Sequence, residues 1–161
     1  RDGAIPVIDM GGGYGGAVIE HLSVANEIRC DGFVPAGKST ARTADGQLKF
    51  ANLRAEAWWR FREALDPGQP GGAPIQLPPD AALLRDLTAP TFQVGPRGIQ
   101  VEAKEALRAR LGRSPDRGDA VVMAWRGGAR WRTHETIWRG GAKSHSRPRA
   151  ILGRAHQKHR R

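Results

Sequence analysis

Apolar and polar positions change their spacing several times along this chain, and each change marks a structural element. AIPVI (4–8) is a short apolar run closed by Asp9 and a glycine tract, which predicts a buried strand meeting a loop. From Ala17, the apolar residues Val18, Ile19, Leu22 and Ala25 recur at helical spacing, so the glycines open a helix of about two to three turns. A strand from Ile28 to Val34 with a glycine kink follows, ended by Pro35, and GKSTARTADGQLK reads as a polar, basic surface loop. The strongest helical stripe lies over residues 50–66: Leu53, Ala57, Phe61 and Ala64, with Trp58 and Leu65, form an apolar face, and Arg54, Glu56, Arg60 and Glu63 supply the polar side.

PGQPGGAP (67–74) breaks that helix, because its prolines and glycines cannot continue it. PPDAALLRDLTAP predicts a short helix with Asp80 near its start, where a carboxylate suits the helix dipole. TFQVGPRGIQVEA predicts a hairpin around Gly-Pro-Arg-Gly. Lys104 to Leu111 is helical by propensity and stops at Gly112. Ser114 as N-cap and Pro115 as first residue then open a last helix through Val121, Val122, Met123 and Trp125, closed by Gly127 and Gly128. The element order β, α, β, α, α, ββ, α, α predicts an α/β layered domain.

Charge divides the chain. The net charge is +10, yet residues 1–125 hold 15 basic and 15 acidic side chains, so the whole excess lies in 126–161, where Glu135 is the one acid. That segment is rich in Gly, Ser, Pro and Arg and has no sustained period, which predicts a disordered basic tail over 128–161 behind a domain of residues 1–127. Such a tail can touch phosphates without sequence preference. No stretch approaches the roughly 18 uncharged apolar residues of a membrane helix, so a soluble, cytoplasmic protein without membrane contact is expected. Cys30 stands alone, which fits a reducing compartment and a buried small residue. A chain that starts at Arg1 and enters a strand at once reads as a piece of something longer.

The chemistry concentrates in two acidic places more than a hundred residues apart. Asp9 falls at the carboxyl end of a strand, the position where sheets of this class hold ligands. Asp116 and Asp119, three residues apart in SPDRGDAVV, share one face of a helix whose next residues turn apolar, so an acidic start aims at a cleft. Carboxylates at such places suit hard divalent cations over a phosphodiester; the plainer alternatives are a helix cap at Asp9 and dipole compensation at Asp116. Gly11, Gly13 and Gly16 also satisfy G-x-G-x-x-G, but Asp9 beside the loop would repel a pyrophosphate and the regular βαβ alternation is missing. Glu102, Lys104 and Glu105 form a third cluster, in which Lys104 either meets a phosphate or is a solvated helix-start charge. Trp58, Trp59 and Phe61 could stack bases but sit at core spacing. His21 has no partner at zinc spacing, and no local motif supports a Ser–His–Asp or Cys–His triad.

Four stretches taken in order, VIDMGGGYGGAVIEHL, FVPAGKS, FANLRAEAWWRFREAL and IQVEAKEALRARLGRSPDRGDAVVMA, resemble the C-terminal nuclease domain of phage terminase large subunits, the DNA-packaging motor proteins. NLRAEAWW and the E-x-K…SPD…DA ending are the most telling. The resemblance implies a ribonuclease-H-like three-layer fold, a central mixed sheet flanked by helices, that hydrolyses phosphodiester bonds of concatemeric double-stranded DNA with two Mg²⁺ or Mn²⁺ ions. Of the family's three metal-binding acids, the second matches Asp9 and the third Asp116, with Asp119 a further candidate. The first lies on an upstream strand, so the domain is expected to lack its first strands and that acid. The implied roles are catalysis for Asp9, Asp116 and Lys104, and DNA contact for Lys38, Arg42, Lys104 and Arg113. Implied partners are the terminase ATPase domain, the small terminase subunit and the portal. A non-catalytic DNA-binding or motor-docking piece is the alternative, and a dinucleotide-binding domain a lesser one.

Overall fold

A computed structural model describes residues 5–68 and 75–126; the expected basic tail, and Gly127 and Gly128, lie outside the described residues. The chain is a mixed α/β structure. In order it forms β1 (Val7–Asp9), α1 (Gly15–Glu20) running on into a π-helical turn (His21–Ala25), β2 (Asp31–Phe33), α2 (Leu53–Leu65), α3 (Ala81–Thr88), β3 (Phe92–Gly95), β4 (Gly98–Val101), α4 (Lys104–Leu111) and α5 (Asp116–Arg126).

β1 and β2 pair in parallel with Asp9 opposite Phe33, and the ladder continues where the Met10 N–H donates to the Phe33 carbonyl at 2.7 Å. The glycine tract makes this β–α–β unit compact. A Cβ on Gly15 would lie 2.3 Å from the Asp9 carbonyl oxygen, so only glycine lets α1 begin against the end of β1. β2 is shorter than the predicted 28–34.

β3 and β4 form the predicted antiparallel hairpin, from Phe92 opposite Val101 to Gly95 opposite Gly98. Among the described residues the strands form two separate two-stranded sheets, where the sequence suggested one central mixed sheet. Residues 49–51 widen the second: the Ile99 N–H donates to the Lys49 carbonyl at 2.8 Å and the Ala51 N–H to the Ile99 carbonyl at 2.9 Å. The predicted surface loop is also more ordered in its pairing than expected. Arg42 bridges Lys49, and buried Thr43 accepts from the Leu48 N–H through its hydroxyl oxygen, closing a tight turn.

α2 starts at Leu53, not at 50, because Phe50 is used in the bridge to Ile99 and Asn52 caps the helix by accepting from the Ala55 N–H at 2.9 Å. Its apolar stripe packs as the spacing predicts: Ala57, Trp58 and Phe61 join Phe33 and Val122 in the main core, with Val7, Leu53 and Leu65 around them. Phe61 meets Trp125 edge-on at 5.6 Å. Trp58 and Phe61 are therefore core. Trp59 packs edge-on against Phe92 at 4.9 Å.

α3 is capped by Asp80, which accepts from the Ala82 and Leu83 N–H groups, and α4 ends at the left-handed Gly112. The start of α5 differs from the prediction. The Ser114 hydroxyl donates to the Asp116 carboxylate, and the Arg117 and Gly118 N–H groups of the first turn are accepted by Oδ2 of Asp86, a buried side chain of α3. A residue 31 positions upstream supplies the cap because α3 packs directly on α5.

Candidate functional site

A cavity of about 430 Å³ opens where the carboxyl end of β1, the first turn of α2 and the starts of α4 and α5 converge. Asp9, Gly11, Gly12, Arg54, Lys104 and Asp119 give it polar walls, while Phe33, Trp58, Val101 and Val122 give it an apolar floor. Asp9 is held by a local turn in which its Oδ1 accepts from the Gly11 N–H at 2.8 Å. Lys104 begins α4 directly after the hairpin. Asp119 lies one turn into α5, facing inward with its side chain 9 % exposed.

Four charged side chains interlock along one wall. The Arg54 Nη1 donates to Asp119 Oδ1 at 2.7 Å, the Lys104 Nζ lies 3.1 Å from Asp119 Oδ2, and the same Nζ lies 3.7 Å from Asp116 Oδ1. Burial works against the Lys104 ammonium, yet the adjoining Asp119 carboxylate and the charges of Asp116 and Asp9 outweigh it and raise its pKa above the ordinary lysine value. Lys104 is thus held as a cation at the cavity wall, partly open to solvent. Arg54 is nearly as enclosed as Asp119, its side chain 13 % exposed and its guanidinium 5.4 Å above the Trp58 ring. A buried cation without its acid would cost several kcal/mol, on the order of 3–5, so the pair is mutually required.

The sequence candidates separate into two groups. Asp9, Lys104 and Asp119 line the cavity; Asp116 is not part of the lining, with its side chain 76 % exposed, but joins the group through Lys104. The other DNA-contact candidates lie apart. Lys38 is exposed on the loop after β2, Arg42 donates to the Gly46 and Gln47 carbonyls of its own turn, and Arg113 is paired with Asp86 at 2.6 Å. Glu102 turns away from Lys104: hydrogen bonding to Arg110, aided by Thr91, lowers its pKa to about 2. Glu105 reaches the cavity rim.

One residue of the site and one that supports it differ from the sequence expectation. Arg54 belongs by composition to the polar side of α2, yet it stands four residues before Trp58 and so shares that residue's side of the helix. Asp86, which holds the first turn of α5, carried no sequence signal at all.

The donor set is one of carboxylate oxygens, the chemistry of hard divalent cations. Both oxygens of Asp119 already face cations, and Asp116 already gives Oδ1 to Ser114 and Lys104, so an ion would draw on Asp9 and on the second oxygen of Asp116. Among the described residues no three His, Cys, Asp or Glu side chains are grouped to hold a metal. No protein-family model matches the chain, and no curated protein matches it in sequence.

Proposed function

We propose that this chain is the nuclease part of a phage terminase large subunit, with a ribonuclease-H-like fold, and that the cavity is its phosphodiester-hydrolysing cleft. The observation that carries this proposal is the meeting of Asp9 and Asp119, more than a hundred residues apart in sequence, across one cavity with Lys104 between acidic neighbours. A bound Mg²⁺ or Mn²⁺ supplies an acidified water and neutralises charge developing on phosphorus. Asp9 and Asp116 would hold it. Lys104 meets a non-bridging phosphate oxygen of double-stranded DNA, and the exposed Gly11–Gly13 tract lets the DNA backbone come close. Phosphate contact positions the strand without reading bases, so cutting is independent of sequence. The ATPase domain, the small terminase subunit and the portal are the partners of such a nuclease, acting in the cytoplasm.

A second function is favoured by one observation, that among the described residues no three acids are grouped as a two-ion mechanism needs. A DNA-binding or motor-docking piece would then bind duplex without cutting it. A dinucleotide site is less well supported, because Asp9 takes the Gly11 N–H that a pyrophosphate would use. Plasmid nicking in Mn²⁺ separates these. Nicking that disappears in Asp9→Ala is the expected result; duplex binding with no metal-dependent nicking refutes the nuclease proposal.

A further inference from the structure

We infer that Arg54 is a positioning residue of this site: through Asp119 it holds the Lys104 ammonium in the cavity. The inference rests on the proposed cleft for its purpose, but its geometry stands without it. Asp119 presents one oxygen to each cation, Oδ1 to Arg54 Nη1 at 2.7 Å and Oδ2 to Lys104 Nζ at 3.1 Å. A carboxylate so divided is a bridge. Its rotation about the side chain is set by whichever partner is the more firmly held, and that partner is Arg54.

Arg54 is the better anchored of the two cations, by its backbone and by its packing. It sits in the first turn of α2, where the Arg54 N–H also donates to the Pro35 carbonyl at 2.9 Å, tying the turn to the end of β2. Its guanidinium lies over Trp58, a core residue. Its Nε and Nη2 are buried without a hydrogen-bond partner, so the guanidinium has no acceptor to turn to other than Asp119. Lys104, by contrast, is 38 % exposed on a flexible four-carbon stem. Left to itself, such a side chain samples solvent. The ion pair with Asp119 keeps its ammonium beside Asp9 and Asp116, where a phosphate oxygen would need it.

Lysine-by-lysine amine labelling of the full chain, read by mass spectrometry without metal, tests this. Lys38 and Lys49 serve as internal controls. Arg54→Met keeps a side chain of similar reach and removes the cation; it should raise Lys104 labelling about tenfold, the size of one charge-assisted hydrogen bond, as Asp119→Asn should. Arg54→Lys, which keeps a cation beside Asp119, should return Lys104 most of the way to its slow rate. Unchanged controls separate this from unfolding. Lys104 labelling unchanged in Arg54→Met but raised in Asp119→Asn overturns the inference, as does a rise shared equally by Lys38 and Lys49. Failure of plasmid nicking, by contrast, bears on the cleft's function and leaves the labelling result standing.

Discussion

Asp86→Ala is the substitution with the largest expected effect at a distance from the cavity, because it uncaps the helix that carries Asp116 and Asp119. Asp86 is 1 % exposed and its Oδ2 accepts from the Arg117 N–H at 3.2 Å and the Gly118 N–H at 3.3 Å. Loss of a helix cap costs about 0.5–2 kcal/mol, and leaving the buried Gly118 N–H unpartnered adds about 1–3 kcal/mol. The Arg113 pair contributes little, since that side chain is 45 % exposed. A total of about 1.5–5 kcal/mol follows, which for a chain of this size lowers the melting temperature by roughly 3–20 °C. Asp86→Asn keeps an oxygen in place and loses the charge at the helix N-terminus and the ion pair with half-exposed Arg113, for about 1 kcal/mol. Urea unfolding followed by tryptophan fluorescence measures both, and amide exchange at Arg117 and Gly118 locates the effect. If Asp86→Ala costs no more than Asp86→Asn, or if those two amides keep their protection, the cap across the α3–α5 contact is refuted.

Two other outcomes are expected. Gly98→Ala should lose at least about 2 kcal/mol in the same urea assay, since Gly98 has φ +96° and a Cβ there would lie 2.1 Å from the Lys49 carbonyl oxygen; a neutral result would show that the 49–51 pairing with β4 is dispensable. Glu102 bears on acid stability: its folded pKa of about 2 lies below its ordinary 4.5, so its stabilisation is complete above the ordinary value and fades as pH falls toward the folded one. Glu102→Gln should therefore flatten the fall in unfolding free energy between about pH 5 and pH 3, and an unaltered slope would remove Glu102 as its source.

What could be read from the sequence was local, and what could not depends on a partner from elsewhere in the chain. The stripe of α2, the helix start near Asp80, the hairpin about Gly95–Gly98 and the stop at Gly112 each follow from residues within a few positions of one another. The start of α5 shows where this fails. Ser114 has the chemistry of a cap and the right place, but a buried carboxylate packed against the first turn accepts the amides instead, leaving the Ser114 hydroxyl to Asp116. Local preference cannot register an acceptor that arrives from another helix. The β1–β2 strands are just as dependent on context: with three residues each, they owe their pairing to α1 docking at Gly15 and to the core behind Phe33.

The same distinction governs the site. Asp9 at a strand end, Asp119 at a helix start and Lys104 after a hairpin each carried a local signal, and the fold brings all three to one cavity. Arg54 carried an ambiguous one. Residues 54, 58, 61 and 65 share a side of α2, so an arginine at 54 stands at the edge of the apolar stripe and can turn either to solvent or inward. Which it does depends on whether an acid faces it, and that acid, Asp119, lies 65 residues downstream. Neither member of the pair would be stable buried alone. Burial of Arg54 and of Asp119 is thus a single event, and it happens only if α2 and α5 pack in the register that also puts Val122 against Trp58 and Phe61. The core of this fold and the charge arrangement of its cavity are set by the same helix contact, so a change that shifts α5 along α2 would displace Lys104 even with every charged residue intact.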